Sequence, residues 1–373
     1  MLIFFLILLA YIGINIYIGW HGYFVLSYFS IPFSPTVYWV LFSVIALSYL
    51  LGRFHLLPGP VGRFFQVIGS YYFAILEFVV ILLPLADLAA WMLRFAGVDD
   101  TVYIPIISVT VLLLLSLLLF WGSRNAWSPV IRTYEFCINK QVGDLKKLRI
   151  AVASDLHLGN IVGNRHLSRL VTHINALKPD LILLPGDVID DSVEPFIREN
   201  MSAVMKQLES RYGIYAVLGN HEYYGGHIEE YVKQMDAIGI KVLRDESVLM
   251  NDAFYVVGRK DKAAEKMDPN GRLSLPTLLE NLDVTRPVIV MDHQPYQFDV
   301  AANAGVDLLL CGHTHRGQFA PNHWITGRLF ELDWGYLLKN KMHVIVSSGF
   351  GTWGPPIRLA SRSEIIEIVI RFE

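Results

Sequence analysis

The chain has 373 residues, a formal net charge of −3 and a pI near 6.5. It has no block of like charge and no basic–aromatic cluster, so nucleic acid is not an expected partner. Two cysteines, Cys137 and Cys311, exclude a disulfide framework, and nothing in the pattern specifies an oligomeric state.

Charge is spread unevenly. Residues 1–120 contain no lysine, three arginines (Arg53, Arg63, Arg94) and four acids (Glu77, Asp87, Asp99, Asp100). Residues 1–121 read as a transmembrane domain of about four helices, since a bilayer span needs roughly 20 apolar residues. The expected spans are Leu2–Phe24, Thr36–Leu51 beyond the Pro32/Pro35 break, Val67–Leu93 and Val102–Trp121. The first lacks the basic flank of a cleaved signal peptide and is too long for one. Trp20, Trp39, Trp91 and Trp121 lie near span ends, where interfacial aromatics belong.

Arg53 and Arg63 flank the loop between the second and third spans, and Arg124, Arg132 and Lys140 follow the fourth. Basic residues in short loops stay cytoplasmic. The expectation is a multi-pass plasma- or inner-membrane protein whose C-terminal part faces the cytoplasm. Glu77 and Asp87, within or at the edge of the third span, are functional candidates because intramembrane acids are costly.

Residues 122–147 read as a linker. From Leu148 to residue 373, short apolar runs alternate with amphipathic stretches. LRIAVAS, DLILLPG, GIYAVLG, PVIVMD and VDLLLCG read as buried strands. Helical stretches fall near Arg165–Leu177, Pro195–Glu209 and Ile228–Ile238. SVLMNDAFYVVG, MHVIVSSG and SEIIEIVIRF read as a second set of strands. In such α/β chains, ligands gather at the carboxyl ends of strands.

Those ends carry the chemistry. The first strand ends in S-D-L-H (Asp155, His157), the second in P-G-D-V-I-D (Asp187) and the third in G-N-H-E (Asn220, His221). A later strand ends in M-D-H-Q-P (His293), and another in C-G-H-T-H-R-G-Q (His313, His315). In extended backbone the two rings of H-x-H point to one side. They could share one metal, hold one each of two, or be an exposed polar turn. Hard oxygen ligands and imidazoles recurring once per strand at one sheet edge favour metal binding.

Taken together, D-x-H, G-D, G-N-H-[DE], H and G-H-x-H closely resemble the calcineurin-like metallophosphoesterases, over roughly residues 148–373. The attached membrane part, with ELDWGY and SSGFGTWGPPIR, resembles their transmembrane subgroup. The resemblance implies an α-helical transmembrane bundle joined to a four-layer α/β/β/α sandwich. It implies that Asp155, His157, Asp187 and His315 hold one divalent ion. Asp187, Asn220, His293 and His313 would hold a second, with Asp187 bridging. His221 corresponds to the family's non-ligand catalytic histidine. Mixed N/O ligation suits Mn, Fe, Zn or Co.

The expected activity is hydrolysis of a phosphoester or pyrophosphate by a metal-bridging hydroxide, with His221 as general acid. Membrane attachment suggests membrane lipids as partners and a lipid-linked or amphiphilic substrate. The alternative is a catalytically silent membrane scaffold or sensor. Asp190 and Asp191 are candidates to orient ligands. Asn160, Arg165, Arg259, Arg316 and Arg358 are candidates for phosphate contact. G-F-G-T-W-G at 349–354 precedes Pro355 and Pro356, which cannot open the helix of a dinucleotide fold; it reads as a glycine-rich wall beside the metals.

Overall fold

The computed structural model describes residues 2–53, 59–140 and 142–373. Two compact units emerge, one of Met1–Ser123 with Gly354–Ile357, the other of Arg124–Trp353 with Arg358–Glu373.

In the first unit, helices α1 (Leu2–Tyr28), α2 (Pro35–Arg53), α3 (Gly59–Phe95) and α4 (Asp100–Trp127) are, among the described residues, long and apolar enough to cross a bilayer. All four overrun the expected spans, because flanking polar residues continue the backbone ladder past the hydrocarbon. Of the loop expected between Arg53 and Arg63, residues 54–58 lie outside the described residues and 59–62 belong to α3. Helices α2 and α3 pack closely where Gly69 meets the Tyr49 backbone; a Cβ at Gly69 would overlap it. Small residues permit such close approach without a hydrophobic driving force. Asp87 accepts a hydrogen bond from Tyr17 Oη at 2.5 Å and lies 3.4 Å from His21 Nε2, so α1 supplies it with polar partners.

The second unit holds strands β1 (Val130–Ile138), β2 (Lys147–Val152), β3 (Leu181–Pro185), β4 (Ile214–Val217), β5 (Ile240–Leu243), β6 (Glu246–Met250), β7 (Phe254–Gly258), β8 (Val288–Met291), β9 (Leu308–Cys311), β10 (Gly335–Lys339), β11 (Met342–Val346) and β12 (Glu364–Phe372). Its helices are α5 (Asn164–Leu177), α6 (Val193–Arg198), α7 (Met201–Met205), α8 (Asn220–Gly225), α9 (Ile228–Asp236), α10 (Ala264–Met267), α11 (Leu275–Leu279), α12 (Phe298–Asn303) and α13 (His323–Leu329). One sheet has the order β1-β12-β2-β3-β4-β5, the other β10-β11-β9-β8-β7-β6. In each sheet four strands, β2–β5 or β11-β9-β8-β7, run parallel; β12 joins the first block antiparallel at β2, and β10 and β6 flank the second antiparallel on both sides.

Side-chain alternation along a strand separates the layers. Ile182 and Leu184 of β3 pack with Leu167, Leu170 and Ile174 of α5 and with Tyr231 and Met235 of α9. Their neighbours Leu181 and Leu183 face a second core, shared with Ile289 and Met291 of β8 and Leu308 and Leu310 of β9. On β8, Val288 and Val290 turn the other way, onto Leu275 and Leu279 of α11 and Phe298 of α12. Three cores between four layers give the α/β/β/α sandwich. Each large aliphatic side chain so buried contributes about 1.5–3 kcal/mol.

Three expectations need correction. The segment 122–147 is not a bare linker: it carries the end of α4 and β1, which pairs in parallel with β12. SEIIEIVIRF belongs to the first sheet, between β1 and β2, because its long apolar run is covered on both faces. The helical stretch 195–209 is broken into α6 and α7 where Asn200 turns left-handed at φ 50°.

Candidate metal centre

Every candidate ligand lies just beyond the carboxyl end of a strand: Asp155 and His157 after β2, Asp187 after β3, Asn220 after β4, His293 after β8, and His313 and His315 after β9. The first three strands belong to one sheet and the last two to the other, so the residues converge where the sheets meet. Backbone bonds stitch the loops together: Asp155 N donates to Gly186 O, His157 N to Asp187 O, and Gly312 N to His293 O. His313 N donates to Asp155 Oδ1 at 2.8 Å, and His221 N to Asp187 Oδ1 at 2.9 Å.

The donor atoms fall into overlapping groups, each with its atoms within 4.8 Å: Asp155–His157–His315, His157–Asp187–His221, and Asp187–His293–His313. Asn220 Oδ1 lies 2.8 Å from His313 Nδ1 and 3.2 Å from His293 Nε2. Asp187 thus stands between two clusters, and His221 is close enough that distance alone does not separate it from the ligands.

The histidine pair is not in extended backbone. His313 has φ 72° and His315 φ 48°, and the segment His315–Gly317 is a single 3₁₀ turn. Both rings still reach the centre, by a turn in place of a shared strand face.

The donor set fits divalent cations. Pro185 O accepts from His293 Nδ1 at 2.8 Å, so Nε2 of a neutral ring presents its lone pair. That atom faces Asp187 Oδ2 at 3.0 Å and the Asn220 oxygen, both acceptors. A cation reconciles these lone pairs. Without one a proton must do so, and His293 is accordingly pushed well above the usual range: burial opposes this, but the Asp187 charge and hydrogen bond outweigh it. His157 Nε2 and His315 Nε2 stand 2.9 Å apart, and Asp155 Oδ2 is buried without a hydrogen-bond partner in the same place. Burial pushes Asp155 up. It acts on Asp187 too, but the charge and hydrogen bond of His293 hold that carboxyl well below its usual value.

His221 opens α8 and lies 2.7 Å from Asp191 Oδ1 through Nδ1. Burial would lower its pKa, but the Asp191 bond and the charges of Asp187, Asp190 and Asp191 raise it to about 9. Asp190 Oδ1 is 3.5 Å from His157 Nδ1. Asp190 thus lies near a candidate ligand, whereas Asp191 approaches His221 instead.

Glu222, the last residue of the G-N-H-E run, carries no role of its own in the motif pattern, yet it organises the centre. Buried at the first turn of α8, it accepts from Gly219 N at 2.7 Å, Asp187 N at 3.1 Å and Ile189 N at 3.0 Å. Burial, and then the charge of Asp187, push it up to about 7. Its available signal was an acid three residues into a helix whose cap, Gly219, has no side chain to cap with. The glycine is itself required, since a Cβ there would overlap Asp187.

Three of the four arginine candidates, Arg259, Arg316 and Arg358, are engaged elsewhere. Arg358 is fully buried and donates to Gly351 O, Ser348 O (2.7 Å), Ser361 Oγ (2.8 Å) and His315 Nδ1 (3.0 Å). It orients a histidine and a loop and is not open to phosphate. Arg259 binds Asp292 at 3.0 Å, and Arg316 donates to Ala360 O while lying over Trp334. Asn160 Oδ1 accepts from Arg198. The expected glycine-rich wall does line the centre: Phe350 N donates to Ser154 O and Gly351 N to Asp155 O.

A four-layer sandwich with carboxylates and imidazoles converging between its sheets defines a metallohydrolase-type centre. A family model described as calcineurin-like phosphoesterase matches residues 148–317. An uncharacterized metallophosphoesterase of Aquifex aeolicus (strain VF5) is 30% identical over 249 residues, 65% of this chain and 94% of that protein. A Danio rerio transmembrane protein with metallophosphoesterase domain is 30% identical over 275 residues, 71% of this chain and 62% of that protein. This chain therefore spans less than two thirds of the Danio rerio relative's length. A solved dimetal phosphatase from Danio rerio is 14% identical with a TM-score of 0.37, covering 61% of this chain and 99% of that one. The chain belongs to the calcineurin-like metallophosphoesterases, and its apolar helices and transmembrane relatives make it a membrane protein.

Proposed function

We propose that the chain is a membrane-embedded, dinuclear-metal phosphoesterase. The observation that carries this reading is the convergence of six nitrogen- and oxygen-bearing residues around Asp187, with a protonatable histidine beside them. In this reading Asp155, His157, Asp187 and His315 hold one ion, and Asp187, Asn220, His293 and His313 the other; Mn, Fe, Zn and Co all suit such ligands. The ions would supply Lewis acidity to the phosphoryl oxygens and make water nucleophilic near neutral pH.

This chain's residues do the rest. Glu222 fixes the backbone of Asp187, and the Pro185 carbonyl fixes the His293 tautomer. Asp191 holds the His221 ring through Nδ1, leaving Nε2 to protonate the departing oxygen. His221 is raised to about 9 without cations, and neighbouring cations would draw it down toward neutrality, where a general acid works best.

The substrate class proposed is a lipid-linked or amphiphilic phosphoester or pyrophosphate, supported by attachment to a membrane. Four bilayer crossings and a cytoplasmic catalytic unit complete the reading, supported by Arg53, Arg63, Arg124, Arg132 and Lys140. Purified protein reconstituted separately with each metal and assayed on a panel of phosphodiesters, lipid phosphates and pyrophosphates tests it. Metal-dependent turnover is expected. Full metal occupancy with no turnover on any panel member would favour a scaffold or sensor.

A further inference from the structure

His221 is bracketed by two exposed aromatic rings. Tyr224 follows it by three residues on α8, hence on the same helix face, with ring centroids 6.0 Å apart. Trp353 approaches from the glycine-rich loop, 6.3 Å away at 69°. Tyr224 is 60% and Trp353 61% exposed. Single exposed aromatics are ordinary on protein surfaces. These two are distinguished by their placement beside one catalytic candidate and by how firmly they are held.

Gln318, only 4% exposed, grips the Trp353 backbone at both polar groups: Trp353 N donates to its Oε1 at 3.0 Å, and its Nε2 donates to Trp353 O at 3.0 Å. Upstream, the Phe350 and Gly351 amides are bonded to Ser154 O and Asp155 O beside the candidate ligands. The backbone is therefore fixed while the large apolar ring is left in solvent. Tyr224 is similarly set by α8, whose first turn is tied down by Glu222. A large aromatic ring held in solvent forgoes the gain that burial would bring.

We propose that Trp353 and Tyr224 are specificity-determining residues that receive the leaving group of the phosphoester, and that this group presents a flat ring. The inference rests on the hydrolytic reading above. When the phosphorus–oxygen bond breaks, the departing oxygen takes its proton from His221, so it must lie at that imidazole. Whatever organic group that oxygen carries meets the two rings within a few bonds. Aromatic faces reward a planar partner by stacking, by about tenfold in affinity per ring (about 1.4 kcal/mol). A flexible alkyl chain gains less and loses rotamer freedom.

The test uses full-length, metal-reconstituted protein in detergent. Methyl phenyl phosphate and methyl hexafluoroisopropyl phosphate have leaving groups of similar acidity, so proton demand at His221 is matched while only the first carries a flat ring. The ratio of their kcat/KM values should favour phenyl in the parent and fall about tenfold in Trp353→Ala, in Tyr224→Ala by a similar factor, and recover in Trp353→Phe. Calorimetric binding of phenylphosphonate against hexylphosphonate, neither of which can be hydrolysed, should show the same loss of discrimination. Equal losses on both esters and both phosphonates would overturn the proposal, leaving the rings as loop packing or a membrane contact. Ring-selective binding lost in Trp353→Ala, without turnover of either ester, would uphold the ring site while removing the hydrolytic reading.

Discussion

A side chain just past a strand end reaches a shared centre only if the backbone turns sharply there. Five of the seven candidate ligands do so at positive φ: Asp155 (53°), His157 (45°), Asp187 (52°), His313 (72°) and His315 (48°). Asp and His tolerate this region better than most residues, though such conformations still cost of order 1 kcal/mol or more each. That cost is what cation binding would offset, and it makes the shared carboxylate the most sensitive point. Asp187→Ala should lose more bound metal than Asn220→Ala, which removes one neutral ligand from one cluster; elemental analysis of both variants decides, and equal near-complete loading would sink the bridging assignment. For His221, loss of a general acid costs about 10²–10⁴-fold. His221→Asn should therefore keep both metals yet lose most on an alkyl ester and least on a nitrophenyl ester, whose leaving group needs little protonation. Equal losses on the two esters would point to electrostatic stabilisation instead, and metal loss would make His221 a ligand. The convergence of these residues was legible in the sequence because acids and imidazoles recur at successive strand ends. Glu222 and Arg358 were not, since they act on backbone amides, carbonyls and another residue's ring, and many residue types sit in such roles unremarked.

At the scale of elements, the sequence's apolar runs marked β2, β3, β4, β8 and β9, because strands buried on both faces need continuous hydrophobicity. Short β5, interrupted by the exposed Lys241, and the alternating β1 carried weaker signals. The position of β12 between β1 and β2 was not legible at all, because pairing partners far apart in sequence leave no local trace. The last residues of α4, from Arg124, belong to the second unit. Asn125 Nδ2 donates to Arg358 O and Ser363 N to Asn125 O, while Trp127 meets His166 edge-on at 5.0 Å. His166 is buried, stacked on Phe350 at 4.2 Å. Burial lowers its pKa to about 4, against a weaker opposing bond to Phe350 O, with Arg169 and Arg358 adding to the depression. The unfolded chain, with an ordinary value near 6.5, therefore takes up the proton first as pH falls. Stability is full above about 6.5 and is lost as pH drops toward 4, by about 2 kcal/mol between pH 7 and 5. Replacing His166 with Phe keeps a ring against Phe350 and removes the titration. Denaturant unfolding at pH 7 and pH 5 should show a smaller drop in His166→Phe than in the parent, whatever the variant's absolute stability. Identical drops would mean that His166 is not the group being titrated.

At the scale of the whole molecule, the division into an apolar helical part and an α/β part was plain from charge alone, but which side of the membrane receives the second part rests on few residues. Chain continuity narrows the question. Helix α4 runs without a break from Asp100 to Trp127, and β1 begins at Val130, so only Ser128 and Pro129 separate the last apolar helix from the sheet. Two residues cannot recross a bilayer about 30 Å thick, so the α/β unit lies on the side where α4 ends. With four crossings, the loop between α2 and α3 lies on that side too, flanked by Arg53 and Arg63, while Arg124, Arg132 and Lys140 follow α4. The opposite side offers Arg94 next to Asp99 and Asp100. Because positive residues near span ends resist translocation and acids count for little, the proposed four-crossing arrangement would keep the sheet in the cytoplasm. An odd number of crossings would reverse this outcome, which makes the orientation a direct test of the span count as well. A reporter active only outside the cytoplasm, fused after Glu373, should stay silent, while the same reporter fused after Gly97, between α3 and α4, should be active. Activity from the Glu373 fusion would overturn the four-crossing arrangement. Silence from both would remove the extracytoplasmic loop between α3 and α4, and with it the two-span hairpin on which the orientation depends.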